Sequence, residues 1–224
     1  MSRVAALGFF DGVHMGHGAL LSKALEVSQK TGLTPAVISF DIHPDNLVTG
    51  KETFLINNAK GKQYIINNYY GIDDVIFLHF SESLMKKSWD DFLKLLTEQF
   101  DISHIIAGYD FRFGYKGQGN AEILKEYCAG KGIGCDIINQ VTIDGITVSS
   151  TYIRELLLSG DVEQAAKFLG HPYILVDTVH SGFHLGTTMG IPTINMEYSP
   201  HMLIPAFGVY ASKTIVNGEK YISV

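Results

Sequence analysis

The sequence predicts an α/β fold, a parallel sheet with helices on both faces, followed by a mainly antiparallel β segment. Three observations carry this expectation. Short apolar runs alternate with amphipathic stretches over the first two thirds of the chain. Each run is bounded by Gly, Pro, Asp or Ser. After about Gly170 the helical periodicity ends and strand-like runs follow one another between turn signals. Strand–helix repetition favours a parallel sheet, because a crossover helix must lie on one of its faces.

In chain order, Val4–Phe9, Pro35–Phe40, Val75–Phe80 and His104–Gly108 read as strands. After the first, Leu20, Leu21, Ala24, Leu25 and Ser28 fall on one helical face, with Gly32 placed to cap the C-terminus. Ser88, with Asp91 three residues on, resembles a capping box, and Phe92, Leu95, Leu96 and Gln99 continue at helical spacing. Beyond the change of texture, Tyr173–Val179, Val209–Val216 and Tyr221–Val224 read as strands. Asn217-Gly218 is a hairpin turn between the last two. The domain boundary is expected at His171-Pro172, giving domains over 1–170 and 171–224.

Composition narrows the function. Of the 224 residues 46% are hydrophobic and 18% charged, ordinary for a soluble globular chain. A net charge of -6 disfavours a broad surface for nucleic acid or anionic membrane, so an anionic ligand needs local donors. Cys128 and Cys135 are too few for a disulfide framework and are read as free thiols. No apolar run approaches bilayer length, and the expected location is the cytoplasm.

The chemistry concentrates where strands give way to loops. Gly8-Phe9-Phe10-Asp11-Gly12-Val13-His14-Met15-Gly16-His17 joins the first strand to the first helix. Its glycines Gly8, Gly12 and Gly16 let the backbone turn sharply and approach a ligand. The following helix aims free N–H groups at the turn, which suits phosphate. His14 and His17, three residues apart, can face one side and donate to phosphate oxygens. One histidine capping the turn and the other packing beneath the sheet is the plainer alternative. The ending Gly-Lys-Ser/Thr of a Walker loop is absent, as is Gly-x-Gly-x-x-Gly spacing.

This segment resembles the His-x-Gly-His signature of the nucleotidylyltransferase superfamily. Its Phe-Asp-Gly-Val-His wording is similar to the bacterial bifunctional riboflavin kinase / FAD synthetase family. Three further segments carry the same resemblance in the same order: Ser39-Phe40-Asp41-Ile42-His43-Pro44, Gly108-Tyr109-Asp110-Phe111-Arg112-Phe113-Gly114, and Ser149-Ser150-Thr151-Tyr152-Ile153-Arg154. The resemblance implies a Rossmann-like sheet of nucleotidylyltransferase type and transfer of AMP from ATP to FMN, giving FAD and pyrophosphate. It implies small-molecule nucleotides and flavins as partners, and magnesium with the nucleotide.

The residues agree with that chemistry. Ser149, Ser150 and Thr151 open a helix whose hydroxyls and N–H groups form an anion site, and Arg154 can grip two phosphate oxygens. Asp110, Phe111 and Arg112 suit a flat heteroaromatic ring and its phosphate, although Phe111 and Phe113 also fit one face of a strand. Phe40 and His43 follow the second strand and lean, by resemblance, towards FMN or ATP phosphate. His14, His17 and Arg154 are the expected catalytic groups. Phosphate monoesters are anionic near neutral pH, so no general base is required.

Gly186 to Asn195 is similar to the riboflavin kinase stretch Gly-Phe-Pro-Thr-x-Asn, with Ile191 in place of Phe. Thr193 and Asn195 are oxygen donors suited to a magnesium–nucleotide complex, Thr193 being the expected magnesium ligand. The family's kinase barrel runs further than Val224, so this half is expected to be an incomplete β-barrel, doubtful in turning riboflavin into FMN. Two rivals stay open: an adenylyl- or cytidylyltransferase with another phosphate acceptor, and a non-catalytic flavin-nucleotide binding protein.

Overall fold

The computed structural model describes residues 2–42, 53–180, 193–199 and 201–224. Strand β1 (Arg3–Leu7) leads through a short 3-10 turn into helix α1 (Met15–Thr31), and β2 (Thr34–Phe40) follows. Helix α2 (Ala59–Ile65) runs on through a π-turn to Tyr70 and returns the chain to β3 (Asp74–Leu78). Then come α3 (Glu82–Met85), α4 (Trp89–Lys94) with its π-turn to Gln99, and β4 (Ile102–Gly108). Helix α5 (Ala121–Lys131) and β5 (Gly134–Ile138) complete the five-stranded sheet.

All four strand pairings in this sheet are parallel, in the order β3-β2-β1-β4-β5. Side chains alternate across the pleat, so β1 sends Val4 and Ala6 to one face, Ala5 and Leu7 to the other. The first pair joins Leu20, Leu21, Ala24 and Val27 of α1 and Ile65 of α2. The second joins Phe92 and Leu93 of α4 and Leu124 and Cys128 of α5. The expected three-layer architecture is therefore observed. The predicted first strand ends at Leu7, not Phe9, and the third at Leu78, not Phe80; β5 has no counterpart in the sequence reading.

Helix ends follow local chemistry. Gly32 caps α1 at φ 75°, donating its N–H to the Ser28 carbonyl. Ser88 caps α4 by accepting from the Asp91 N–H.

After β5 a small antiparallel pair, β6 (Thr142–Ile143) and β7 (Ile146–Thr147), precedes helices α6 (Ser150–Ser159) and α7 (Val162–Leu169). Two more antiparallel pairs follow, β8 (Thr178–His180) with β9 (Asn195–Glu197), and β10 (Ser212–Val216) with β11 (Glu219–Ser223). Asn217 and Gly218 turn the last hairpin at φ 51° and 85°, the left-handed pair the sequence calls for. A third apolar cluster ties this region to the first: Leu203 packs with Ile56, Leu157, Phe168 and Leu169.

Candidate active site

In a parallel sheet, ligands bind beyond the carboxyl ends of the strands, where the strand order reverses. Here β2 and β3 lie to one side of β1, and β4 and β5 to the other. The crevice between β1 and β4 opens into a cleft of about 520 Å³. Four of the segments read from the sequence meet there. Gly8, Phe9, His14, Gly16 and His17 line it from the first loop, Phe40 from the end of β2, Asp110, Phe111 and Arg112 beyond β4, and Ser149 and Ser150 from α6.

The first loop is strained. Phe10, Gly12 and Val13 have φ of 55°, 79° and 42°, and for β-branched Val13 this is a rare conformation. The surroundings hold it. Asp11 is 2% exposed and accepts from the Ile56 and Asn57 N–H groups through one oxygen, at 2.9 and 3.2 Å. Its other oxygen accepts from Arg154 Nη2 at 2.7 Å. Ser150 Oγ donates to the Asp11 carbonyl, and His171 Nε2 lies 3.1 Å from the Gly12 carbonyl.

Two helix N-termini reach the cleft. His14 caps α1, its Nδ1 accepting from the His17 N–H at 3.2 Å, and Ser149 Oγ caps α6 by accepting from the Tyr152 N–H. With Nδ1 used as acceptor, a neutral His14 carries its proton on Nε2. The two imidazoles stack, centroids 3.6 Å apart and planes at 12°. Burial brings His14 down to about 4, with the Arg154 and His171 charges acting in the same direction. Burial also holds His17 well below its usual range, assisted by His14 and Lys62. Both rings are therefore neutral at pH 7. They can donate hydrogen bonds, while positive charge comes from helix termini and basic side chains. His17 Nδ1 is buried with no hydrogen-bond partner among the described residues, a polar atom in want of a ligand.

Other expected residues sit elsewhere. Phe10 is fully buried, its ring under Gly8 and 5.0 Å from that of His17, so it shapes the cleft floor. Asp11 and Gly12 are buried supports of the loop. Thr151 is exposed in the first turn of α6. Arg154 is held outside the cleft lining by Asp11 and by the Phe54 carbonyl, which accepts from its Nε at 2.9 Å. His43 lies outside the described residues. Phe113 is core, packed on Phe92, while Phe111 stacks on it and faces the cleft. Thr193 and Asn195 are exposed at β9, away from this cleft, and the glycine-rich stretch before Thr193 is outside the described residues.

Sequence reasoning missed Asn139 and Gln140 after β5, and it quoted Tyr109 without giving it a role, though all three line the cleft. The Tyr109 hydroxyl donates to Gln140 Oε1 at 3.2 Å, and Gln140 Nε2 donates to Thr147 Oγ1. Finding β5 would have located the first two, since β5 pairs with β4 in parallel and the loop leaving its carboxyl end lies beside the loop that leaves β4. Lys62 was also missed; it lies behind the loop, within an otherwise ordinary helical segment.

Comparisons with known proteins identify the family. A family described as FAD synthetase matches residues 1–152, and one described as riboflavin kinase matches residues 169–224. The bifunctional riboflavin kinase/FMN adenylyltransferase of Listeria monocytogenes is 33% identical over the whole chain, which spans 71% of that relative. The enzyme of the same description from Bacillus subtilis is 35% identical over 99% of the chain and 70% of its own length. A crystal structure described as a macrolide-efflux protein from Streptococcus pneumoniae superposes with a TM-score of 0.82 at 28% identity, covering 99% of this chain and 72% of that one. Among the described residues no helix is long and apolar enough to cross a membrane. The antiparallel pairs after Gly170 fit the flavokinase-type part of the fold, and the chain belongs to the bifunctional riboflavin kinase/FMN adenylyltransferase family.

Proposed function

We propose that the cleft between β1 and β4 transfers the adenylyl group of ATP to the phosphate of FMN, yielding FAD and pyrophosphate in the cytoplasm. The observation that carries this reading is the meeting of two helix N-termini and two neutral histidines beside a wall formed by Phe9, Phe40 and Phe111. Amides and imidazole N–H groups suit phosphate; the aromatic wall suits a flat ring system.

The protein's task is positioning and charge stabilisation. His14, through its Nε2–H, and His17 donate to oxygens of the triphosphate as charge shifts towards the departing pyrophosphate. The Gly16 amide and the Ser149 hydroxyl, whose proton its capping role leaves free, hold the same anion. Arg154, one turn into α6, is proposed to exchange its pairing with Asp11 for the departing pyrophosphate. Asp110, Arg112, Gln140 and Asn139 supply the polar contacts that orient the rings.

Magnesium fits a site of this kind as part of the ATP complex. Among the described residues there is no group of three or more His, Cys, Asp or Glu that could hold a metal, and the cleft lining includes one carboxylate, Asp110. Magnesium retains waters and binds chiefly through substrate phosphates, so few protein ligands are needed. When bound it neutralises triphosphate oxygens.

For the second half, Thr193 and Asn195 are the residues proposed to face a magnesium–nucleotide complex in riboflavin phosphorylation. The test of the principal reading is purified protein with ATP, magnesium and either FMN or 4′-phosphopantetheine, followed by chromatography. FAD from FMN alone is the expected result. A product from the pantetheine acceptor, without FAD, would move the protein to another branch of the same chemistry.

A further inference from the structure

Lys62 is 1% exposed, although lysine is rarely buried without a fixed partner. It belongs to α2, which contributes no residue to the cleft lining. Its Nζ donates to the Phe9 carbonyl at 2.8 Å and lies 3.5 Å from the Phe40 carbonyl. It also sits 3.4 Å from the centroid of the Phe9 ring. Ser39 Oγ donates to the same Phe9 carbonyl at 3.0 Å. One ammonium thus gathers the carbonyls at the start of two neighbouring loops, after β1 and after β2, and holds an aromatic ring by its face. Both Phe9 and Phe40 line the cleft.

We infer that Lys62 is a positioning residue for adenylyl transfer, fixing Phe9 and Phe40 against the flavin and nucleotide while supplying a buried positive charge behind the histidine pair. The inference rests on the FMN adenylyltransferase reading of the cleft. An alkyl chain of the same length would fill the space but remove the ammonium's donation to the Phe9 carbonyl and leave the strained loop less restrained. The charge also bears on the chemistry, since Lys62 is one of the groups that keep His17 neutral.

The environment makes the charge titratable. Burial lowers Lys62 to about 8, against the opposing pull of Asp11 and Asp41. The charged or titratable groups facing it are Asp11 on the first loop, Asp41 after β2 and His17 on α1. Turnover should therefore fall on the alkaline side as Lys62 loses its proton.

The experiment measures FAD formation for wild type, Lys62→Met, Lys62→Gln and Asp41→Asn from pH 6 to 10, with melting temperatures alongside. Wild-type FAD formation is the check on the underlying reading, and its absence would sink that reading rather than this one. Given wild-type activity, Lys62→Met should lose about tenfold to a hundredfold in kcat, as supporting partners of site residues do, with less change in KM for FMN. Lys62→Gln should recover part of this loss through its remaining donor and show no alkaline limb near pH 8. Asp41→Asn, which keeps Lys62, should shift the wild-type limb to lower pH. If the lysine variants do not fold, that shift decides the matter. An unmoved limb in Asp41→Asn, or a kcat for Lys62→Met within about twofold of wild type, would overturn the inference.

Discussion

Replacing Asp11 by Asn tests how the strained loop is held. The side chain keeps its shape, and Oδ1 can still accept from the Ile56 and Asn57 amides. The other oxygen becomes an NH2 group facing Arg154 Nη2, so two donors meet where a 2.7 Å ion pair stood. Removing one partner of a buried pair costs about 3–5 kcal/mol. Arg154 is 18% exposed and keeps the Phe54 carbonyl, which places the loss near the lower end, about 3 kcal/mol. At about 2–4 °C per kcal/mol for a chain of this size, the melting temperature should fall by about 6–12 °C. The assay is thermal unfolding of wild type, Asp11→Asn, Arg154→Met and the double variant. Because the two side chains touch, the double variant should lose less than the sum of the single losses. A fall of under about 2 °C in Asp11→Asn, or strict additivity in the cycle, would refute the claim that this pair restrains the loop.

Three other outcomes are expected. His17→Ala should lower the rate of FAD formation by about a hundredfold or more while changing the melting temperature little, as read by steady-state kinetics beside calorimetry. Gly114→Ala should destabilise the protein by about 1–3 kcal/mol in urea unfolding, since Gly114 has φ 72° and a Cβ there would lie 2.6 Å from the backbone of Trp89. Between about 4 and 6.5 the unfolded chain binds a proton at His14 that the folded chain refuses, so stability rises with pH across this window and is lost on acidification, by at most about 3 kcal/mol from this residue. Unfolding midpoints at pH 7 and pH 5 measure that slope, which should flatten in His14→Gln.

Much of the fold was legible because its elements obey local rules. The first four strands were readable from apolar runs with clear punctuation, and Gly32, Ser88 and Asn217-Gly218 act as their local chemistry dictates. Strand β5 escaped because Gly134-Cys135-Asp136-Ile137-Ile138 mixes polar and apolar residues without a clean period, and its side chains are only partly buried. In the site, the loops carrying His14, Asp110 and Ser149 were legible because glycines and caps mark strand-to-helix turns. Their convergence was not, since it depends on strand order. Arg154 looked like a free phosphate clamp, but its fork is occupied by Asp11, which lies 143 residues away in sequence. Lys62 left no local trace, because only the fold brings two loop carbonyls to its ammonium.

The most direct measurement follows the phosphorus itself. ATP radiolabelled at the α-phosphorus, incubated with the protein, magnesium and FMN, should place its label in FAD and release one unlabelled pyrophosphate for each FAD formed. Label recovered only in unreacted ATP, ADP or AMP, with FMN unchanged, would contradict adenylyl transfer in the cleft between β1 and β4.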